Sequence, residues 1–195
     1  MRLMLSSAFE IGFAAGAATL AVALWAGGDL HRSGDGAEVR PAGVAAEKAV
    51  ARPKGALAMP IAGIDPFQLK SNFDEMHGGH RHEALDIMAP RGTPVLAAVE
   101  GNVAKLFHSD LGGLTVYQFD DTQSYCYYYA HLDRYAEGLK EGEVLRRGDV
   151  LGYVGSTGNA SPEAPHLHLE VHILGPEREW WKGTAIDPLP LLQGR

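Results

Sequence analysis

His82-Glu83-Ala84-Leu85-Asp86, Tyr129-Ala130-His131-Leu132 and His166-Leu167-His168-Leu169-Glu170 are the segments whose residue types can do chemistry. A hydrolytic zinc ion takes three nitrogen or oxygen ligands and keeps one position open for water. His82, Asp86 and one of the two closing histidines supply such a set, and the remaining two histidines are then free to act on the water. The chemistry implied is metal-assisted hydrolysis. A closed structural zinc site would instead call for four protein ligands, commonly cysteines, and the chain has a single cysteine, Cys126.

These side chains need elements to position them. His166, His168, Glu170 and His172 alternate with Leu167, Leu169, Val171 and Ile173, so on a strand the four polar groups share one face and the four aliphatic groups the other. His82 and Asp86 are harder to bring together, because a regular strand would separate positions four apart by roughly 13 Å. Gly78-Gly79 upstream and Pro90 downstream leave little room for a helix, so a loop or bulge is expected at Glu83-Ala84, with Asp86 entering the following strand. His77 and His80 are competing ligands that spacing alone leaves in play. His131 ends an aromatic strand, where alternation gives it the face of Tyr129 and Tyr127.

Across the rest of the folded part the apolar pattern is mostly period two, broken at short intervals by Gly, Asp, Asn and Pro. Strands are expected over Thr93 to Phe107, Leu114 to Phe119, Ser124 to Leu132, Val150 to Val154 and His166 to Ile173, the second and third forming a hairpin through Asp120-Asp121-Thr122-Gln123. Helical turns are expected at most over Leu139 to Val144 and Leu189 to Leu192. The fold class is therefore all-β, an antiparallel sheet that is sandwich-like or partly closed. The segment Gly155-Ser156-Thr157-Gly158-Asn159 is not a phosphate loop, since no Lys follows its second Gly and no helix pattern begins there.

The 195 residues divide by composition into three parts. Ile11 to Ala26 is an uncharged apolar run behind Arg2, which marks residues 1–28 as a signal or anchor helix. Leu24, Trp25 and Ala26 carry the run past Ala21-Val22-Ala23, which favours an uncleaved single-pass anchor over a cleaved leader. Residues 29–62 are rich in Ala, Gly and Pro and read as a disordered linker. As a flexible coil such a tether would reach ~30 Å or more. Residues 63–195 hold all seven Tyr and every candidate ligand, and form the domain. Cys126 makes no intramolecular disulfide and, within Tyr125-Cys126-Tyr127, reads as a small buried hydrophobe. A formal charge of −7 without a Lys/Arg cluster excludes a nucleic-acid-binding protein.

The motifs together resemble the lysostaphin/LytM-type zinc metallopeptidases, which cleave peptide bonds in bacterial peptidoglycan. The resemblance covers about Ser71 to Pro188. It rests on His82-x-x-x-Asp86, Gly92-Thr93-Pro94-Val95 with Gly101-x-Val103, Tyr129-Ala130-His131-Leu132, Gly148-Asp149-Val150-Leu151-Gly152 with Val154-Gly155-Ser156-Thr157-Gly158, and His166-Leu167-His168. The chain departs from the family pattern at Ala84, where Gly is usual, at Phe73-Asp74-Glu75-Met76 in place of Phe-Gly-x-Arg, and before His166, where a frequent Gly is missing.

What the resemblance implies is specific. His82, Asp86 and His168 bind one Zn2+ per domain, while His131 and His166 lie beside the bound water as catalytic residues. The site sits in a groove on a β-sheet, and the substrate is a peptidoglycan cross-link or stem peptide. Glu170 and Tyr129 are candidates to orient the site histidines from behind. The implied place is the cell envelope: anchored in the inner membrane through the N-terminal helix and facing the periplasm, or released into the periplasm if the segment is cleaved. A regulatory protein partner is compatible with this. The alternative is an inactive domain of the same fold that binds peptidoglycan or activates another hydrolase. Such a domain is expected to have lost one of the five positions, and all five are present here.

Overall fold

The computed structural model describes residues 57–195. The N-terminal apolar segment and most of the expected linker lie outside the described residues. Among the described residues no helix is long and apolar enough to cross a membrane. The folded core takes in part of the stretch that composition assigned to the linker, since Leu57 and Ile61 are buried within it. Their backbone also joins the domain, through Ala58 N–H to the Ala98 carbonyl at 2.9 Å and Leu96 N–H to the Pro60 carbonyl at 2.8 Å.

The strands are β1 (Met76–His77), β2 (His80–Arg81), β3 (Leu85–Met88), β4 (Pro94–Leu96), β5 (Gly101–Ser109), β6 (Gly113–Asp120), β7 (Tyr125–Tyr135), β8 (Val144–Leu145), β9 (Val150–Val154), β10 (His166–Leu174) and β11 (Gly183–Ile186). A short helix, α1 (Pro188–Leu192), closes the chain, with the Asp187 carboxylate accepting from Leu189 N–H as its N-cap. β1 and β2 form a small hairpin; the other nine strands form one antiparallel sheet with the path β11-β10-β7-β6-β5-β8. The expected antiparallel all-β class holds, and hydrogen bonding runs through a single sheet rather than two. β7 is its spine: residues 125–130 pair with β10 and residues 132–135 with β9 along one edge, while β6 lies along the other.

Period-two patterning places the core. Leu167, Leu169 and Val171 of β10 pack beneath the sheet with Tyr127, Tyr129, Leu85 and Ile87, leaving the polar residues between them on the upper face. The stretch Thr93 to Phe107 is two strands, not one. Its break spans residues 97–100, and β5 opens at Gly101, where a Cβ would stand 1.9 Å from the Phe119 carbonyl oxygen, so only glycine lets β5 meet β6 there. The β6–β7 turn is held by Asp120, whose Oδ1 accepts from Ser124 and Tyr125 N–H at 2.8 and 2.7 Å. Leu139 to Val144 forms turns without a helix.

Candidate metal centre

Register alone brings Asp86 and His168 together: they face each other across the β3–β10 ladder, so both point from the upper face. His168 Nδ1 lies 3.0 Å from Asp86 Oδ1. His82 reaches the other carboxylate oxygen, its Nε2 standing 3.2 Å from Oδ2. The bend between His82 and Asp86 is made by Glu83, which adopts φ 57, while Ala84 is fully buried. Glycine at position 84 is therefore dispensable here, because its neighbour takes the left-handed conformation. The bend is anchored through His82 N–H to the Glu75 carbonyl at 2.8 Å and Glu83 N–H to the Phe73 carbonyl at 2.9 Å.

Each site histidine has its remote ring nitrogen beside an acceptor, which fixes its tautomer. His82 Nδ1 lies 3.1 Å from the Asn72 carbonyl, His131 Nδ1 2.9 Å from the Thr157 carbonyl, and His166 Nδ1 2.8 Å from the Ala164 carbonyl. A carbonyl only accepts, so in all three Nδ1 carries a proton and Nε2 is the ring nitrogen left to the site. His168 is turned the other way: its Nε2 donates to Glu170 Oε1 at 3.0 Å, and Nδ1 faces Asp86. Glu170 in turn holds His172 Nε2 at 2.8 Å on its second oxygen.

Strict alternation would bury His131 beside Tyr129. The β6–β7 register instead shifts between Leu114–Leu132 and Val116–Tyr129, and His131 takes φ 59. This bulge re-aims the ring to the upper face, 4.9 Å from the His166 ring and 5.3 Å from the His168 ring. A left-handed histidine costs about 1–3 kcal/mol, so the surroundings must enforce it. Thr157 does so: its hydroxyl donates to the Leu132 carbonyl at 2.7 Å and accepts from Leu114 N–H at 2.9 Å, filling the gap in the ladder. Gly155 permits the approach, because a Cβ there would stand 2.4 Å from Asp133 N.

The electrostatics follow from burial and pairing. Burial opposes ionisation of Asp86, yet His168, His82 and His166 outweigh it and hold the carboxyl at about 2. Burial likewise works against a charged His168, but Asp86 and Glu170 raise it to about 9. His131 lacks such a partner; burial, with His168 nearby, pushes it down to about 4, so it is neutral at physiological pH. Glu170, though buried, is drawn down to about 2 by His168 and His172.

The residues expected from sequence thus converge. His82, Asp86 and His168 offer ligand atoms within 4.8 Å of one another, His166 Nε2 lies 3.7 Å from Asp86 Oδ1, and the His131 ring completes the cluster. Glu170 orients His168 as expected. Tyr129 does not serve the site: it is in the core, with its hydroxyl donating to Gln118 Oε1 and accepting from Ala98 N–H. His80 is exposed on β2, outside the ligand group. Two residues escaped sequence reasoning. Asn72 Nδ2 donates to Asp86 Oδ2 at 3.1 Å and its Oδ1 accepts from Asp86 N–H at 3.2 Å, while its carbonyl holds His82. Thr157 is the other, inside a motif that local pattern reads only as a turn.

An antiparallel sheet carrying a His/Asp/His donor set, flanked by His131 and His166, defines a metallopeptidase-type domain. The chain belongs to peptidase family M23, whose profile matches residues 80–188. It is 32% identical over 147 residues to the L-Ala–D-Glu endopeptidase of Bacillus subtilis, covering 71% of this chain and 44% of that protein. The chain spans less than half the length of the curated relatives it matches first. Among solved structures, the catalytic domain of lysostaphin from Staphylococcus simulans superposes with a TM-score of 0.52 at 26% identity, covering 72% of this chain and 90% of that one. A zinc-containing peptidase from Vibrio cholerae gives 0.54 at 25% identity, covering 69% and 39%.

Proposed function

We propose that this protein is a zinc-dependent endopeptidase that hydrolyses peptide bonds of bacterial peptidoglycan, in stem peptides or cross-links. The observation that carries the reading is the division of the four histidines. Two turn a ring nitrogen toward the Asp86 carboxylate, His82 Nε2 at 3.2 Å and His168 Nδ1 at 3.0 Å, and two more, His131 and His166, stand beside them with Nδ1 held by a backbone carbonyl.

The donor set fits zinc: two imidazole nitrogens and one carboxylate oxygen, each oriented from behind by Asn72 or Glu170, with no fourth protein ligand among the described residues. When bound there, zinc would lower the pKa of a water and polarise the scissile carbonyl. His82 Nε2, an Asp86 oxygen and His168 Nδ1 would hold it. His131 and His166 do the proton work: a neutral Nε2 accepts the proton of the attacking water, and a protonated ring steadies the developing oxyanion or delivers a proton to the leaving amine. The carbonyls of Thr157 and Ala164 keep both rings in the tautomer this requires. Family membership and the L-Ala–D-Glu specificity of a relative support a peptidoglycan stem as substrate.

The reading extends to location. An apolar N-terminal run followed by a linker suits an enzyme exported to the cell envelope, held at the inner membrane and acting on nearby wall.

Incubation of the full chain with purified cross-linked peptidoglycan, with chromatography and mass analysis of released fragments, tests the proposal. New peptide amino termini that appear with zinc and vanish with chelator are expected. Zinc binding without cleavage would overturn it in favour of a wall-binding or activator domain.

A further inference from the structure

A run of aromatic rings leads away from the metal centre along the same face of the sheet. Tyr128 packs edge-on to His168 with ring centroids 6.1 Å apart, Tyr117 lies 4.7 Å from Tyr128, and Trp180 lies 4.6 Å from Tyr117. Phe107 and Trp181 extend it, at 5.7 and 5.1 Å from Trp180. Topology explains the assembly. Tyr128 and Tyr117 are cross-strand partners on β7 and β6, and Tyr128 faces Glu170 of β10. The loop between β10 and β11 folds back over this face, where the Trp180 carbonyl meets Cys126 Sγ at 3.6 Å.

The run does not end in the core. Phe107 is 40% and Trp181 59% exposed, so its far end meets solvent. Large aromatic groups left exposed beside a candidate metal centre mark a binding surface. Charges beside it are already paired, Lys105 with Glu141 at 2.8 Å and Lys182 with Glu179 at 3.7 Å, so the wall offers a neutral ligand flat apolar faces rather than a charge.

We propose that Trp180, Trp181 and Phe107 form a carbohydrate subsite that holds an N-acetylhexosamine of the glycan strand while its attached peptide lies over the metal centre. The inference rests on the peptidoglycan reading above. That substrate has two components. Its peptides are built of small and charged residues, such as the alanine and glutamate in the relative's name, which give an aromatic wall little to bury. Its sugars present pyranose C–H faces and acetyl methyl groups, which stack on aromatic rings as other flat apolar groups do. Ring-to-ring continuity with His168 places the sugar beside the cleaved peptide. The consequence is a preference for peptides still attached to glycan.

The test uses the full chain and its Trp181→Ala and Phe107→Ala variants, both at exposed side chains outside the metal centre. Two substrates are compared, intact sacculi and the same cross-linked peptides released from glycan. Trp181→Ala is expected to lower kcat/KM on sacculi by about five- to tenfold, the equivalent of ~1 kcal/mol of lost contact, and to leave the free peptides within about twofold. Phe107→Ala should follow the same pattern more weakly. In parallel, tetra-N-acetylchitotetraose is titrated against intrinsic tryptophan fluorescence with no metal present. A saturable change in the parent that Trp181→Ala abolishes is expected, and this arm reports on the sugar subsite even if neither substrate is cut. Equal losses on both substrates would overturn the proposal, as would a flat oligosaccharide titration. So would a fluorescence response to phosphatidylglycerol vesicles that Trp181→Ala abolishes, which would assign the wall to the membrane surface.

Discussion

Thr157 grips His131 twice: its carbonyl accepts Nδ1–H at 2.9 Å, and its hydroxyl occupies the ladder gap that the His131 bulge opens. The first contact sets the tautomer and the second supports the strained backbone. Thr157→Val keeps the shape but leaves Leu114 N–H and the Leu132 carbonyl without this partner. The expected result is a loss of about 2 kcal/mol in stability by urea unfolding. Hydrolysis should fall about tenfold or more as the ring loses its aim, with zinc content unchanged. A full rate alongside the lost stability would show that the hydroxyl serves only the fold.

Asn72 is the corresponding support for the ligands, clamping Asp86 at two points and holding His82 through its carbonyl. Asn72→Ala keeps the carbonyl and removes the clamp. Zinc affinity, measured by chelator competition, is expected to drop about 10- to 100-fold. Saturating zinc should restore most activity, and an unchanged affinity would remove Asn72 from the account.

Zinc binding should release a proton. Asp86 and Glu170 raise His168 to about 9, so at neutral pH a proton sits between His168 Nδ1 and Asp86, where the proposed ion would bind. Affinity is therefore expected to rise about tenfold per pH unit through neutrality and to level off above the His168 pKa. Calorimetry in buffers of different ionisation enthalpy counts the proton. The same pair sets the stability of the metal-free protein. The His168 share is fully present below 6.5 and lost as pH rises through about 9. The Asp86 share is present above 3.8 and lost as pH falls through about 2.

Cys126 and the buried tyrosines make alkaline pH unfavourable. Burial, reinforced by Glu170, pushes the Cys126 thiol up to about 12 from 9.0 and Tyr117 up to about 12 from 10.0, and burial raises Tyr127, Tyr128 and Tyr129 further. In the unfolded chain these groups ionise first, so stability should decline as pH climbs past 9. Native Cys126 should resist Ellman's reagent at pH 8 and react on unfolding, and rapid native labelling would contradict its burial.

Much of this site was legible in the chain because its signals are local. Alternation along His166 to Ile173 survives intact in β10, and the impossibility of spanning His82 to Asp86 with a regular strand demanded the bend that Glu83 supplies. The face of His131 was not legible, since the bulge that turns it depends on the pairing with β6 and on Thr157, 26 residues away. Nothing in Ser71-Asn72-Phe73 marks Asn72 as a clamp, because its partner Asp86 arrives through tertiary folding. The break within Thr93 to Phe107 was hidden for the same reason: β4 pairs with β9 and β5 with β6, partners that arrive only through tertiary folding. Leu57 and Ile61 were too few to show a period, though the core claims both.

The proposed division of labour between ligands and bases is tested by zinc stoichiometry beside peptidoglycan cleavage in His168→Ala and His131→Ala. About one zinc per parent chain is expected, with loss of both metal and cleavage in His168→Ala, and retained metal with abolished cleavage in His131→Ala. Loss of zinc from His131→Ala, or undiminished cleavage by it, would contradict the assignment.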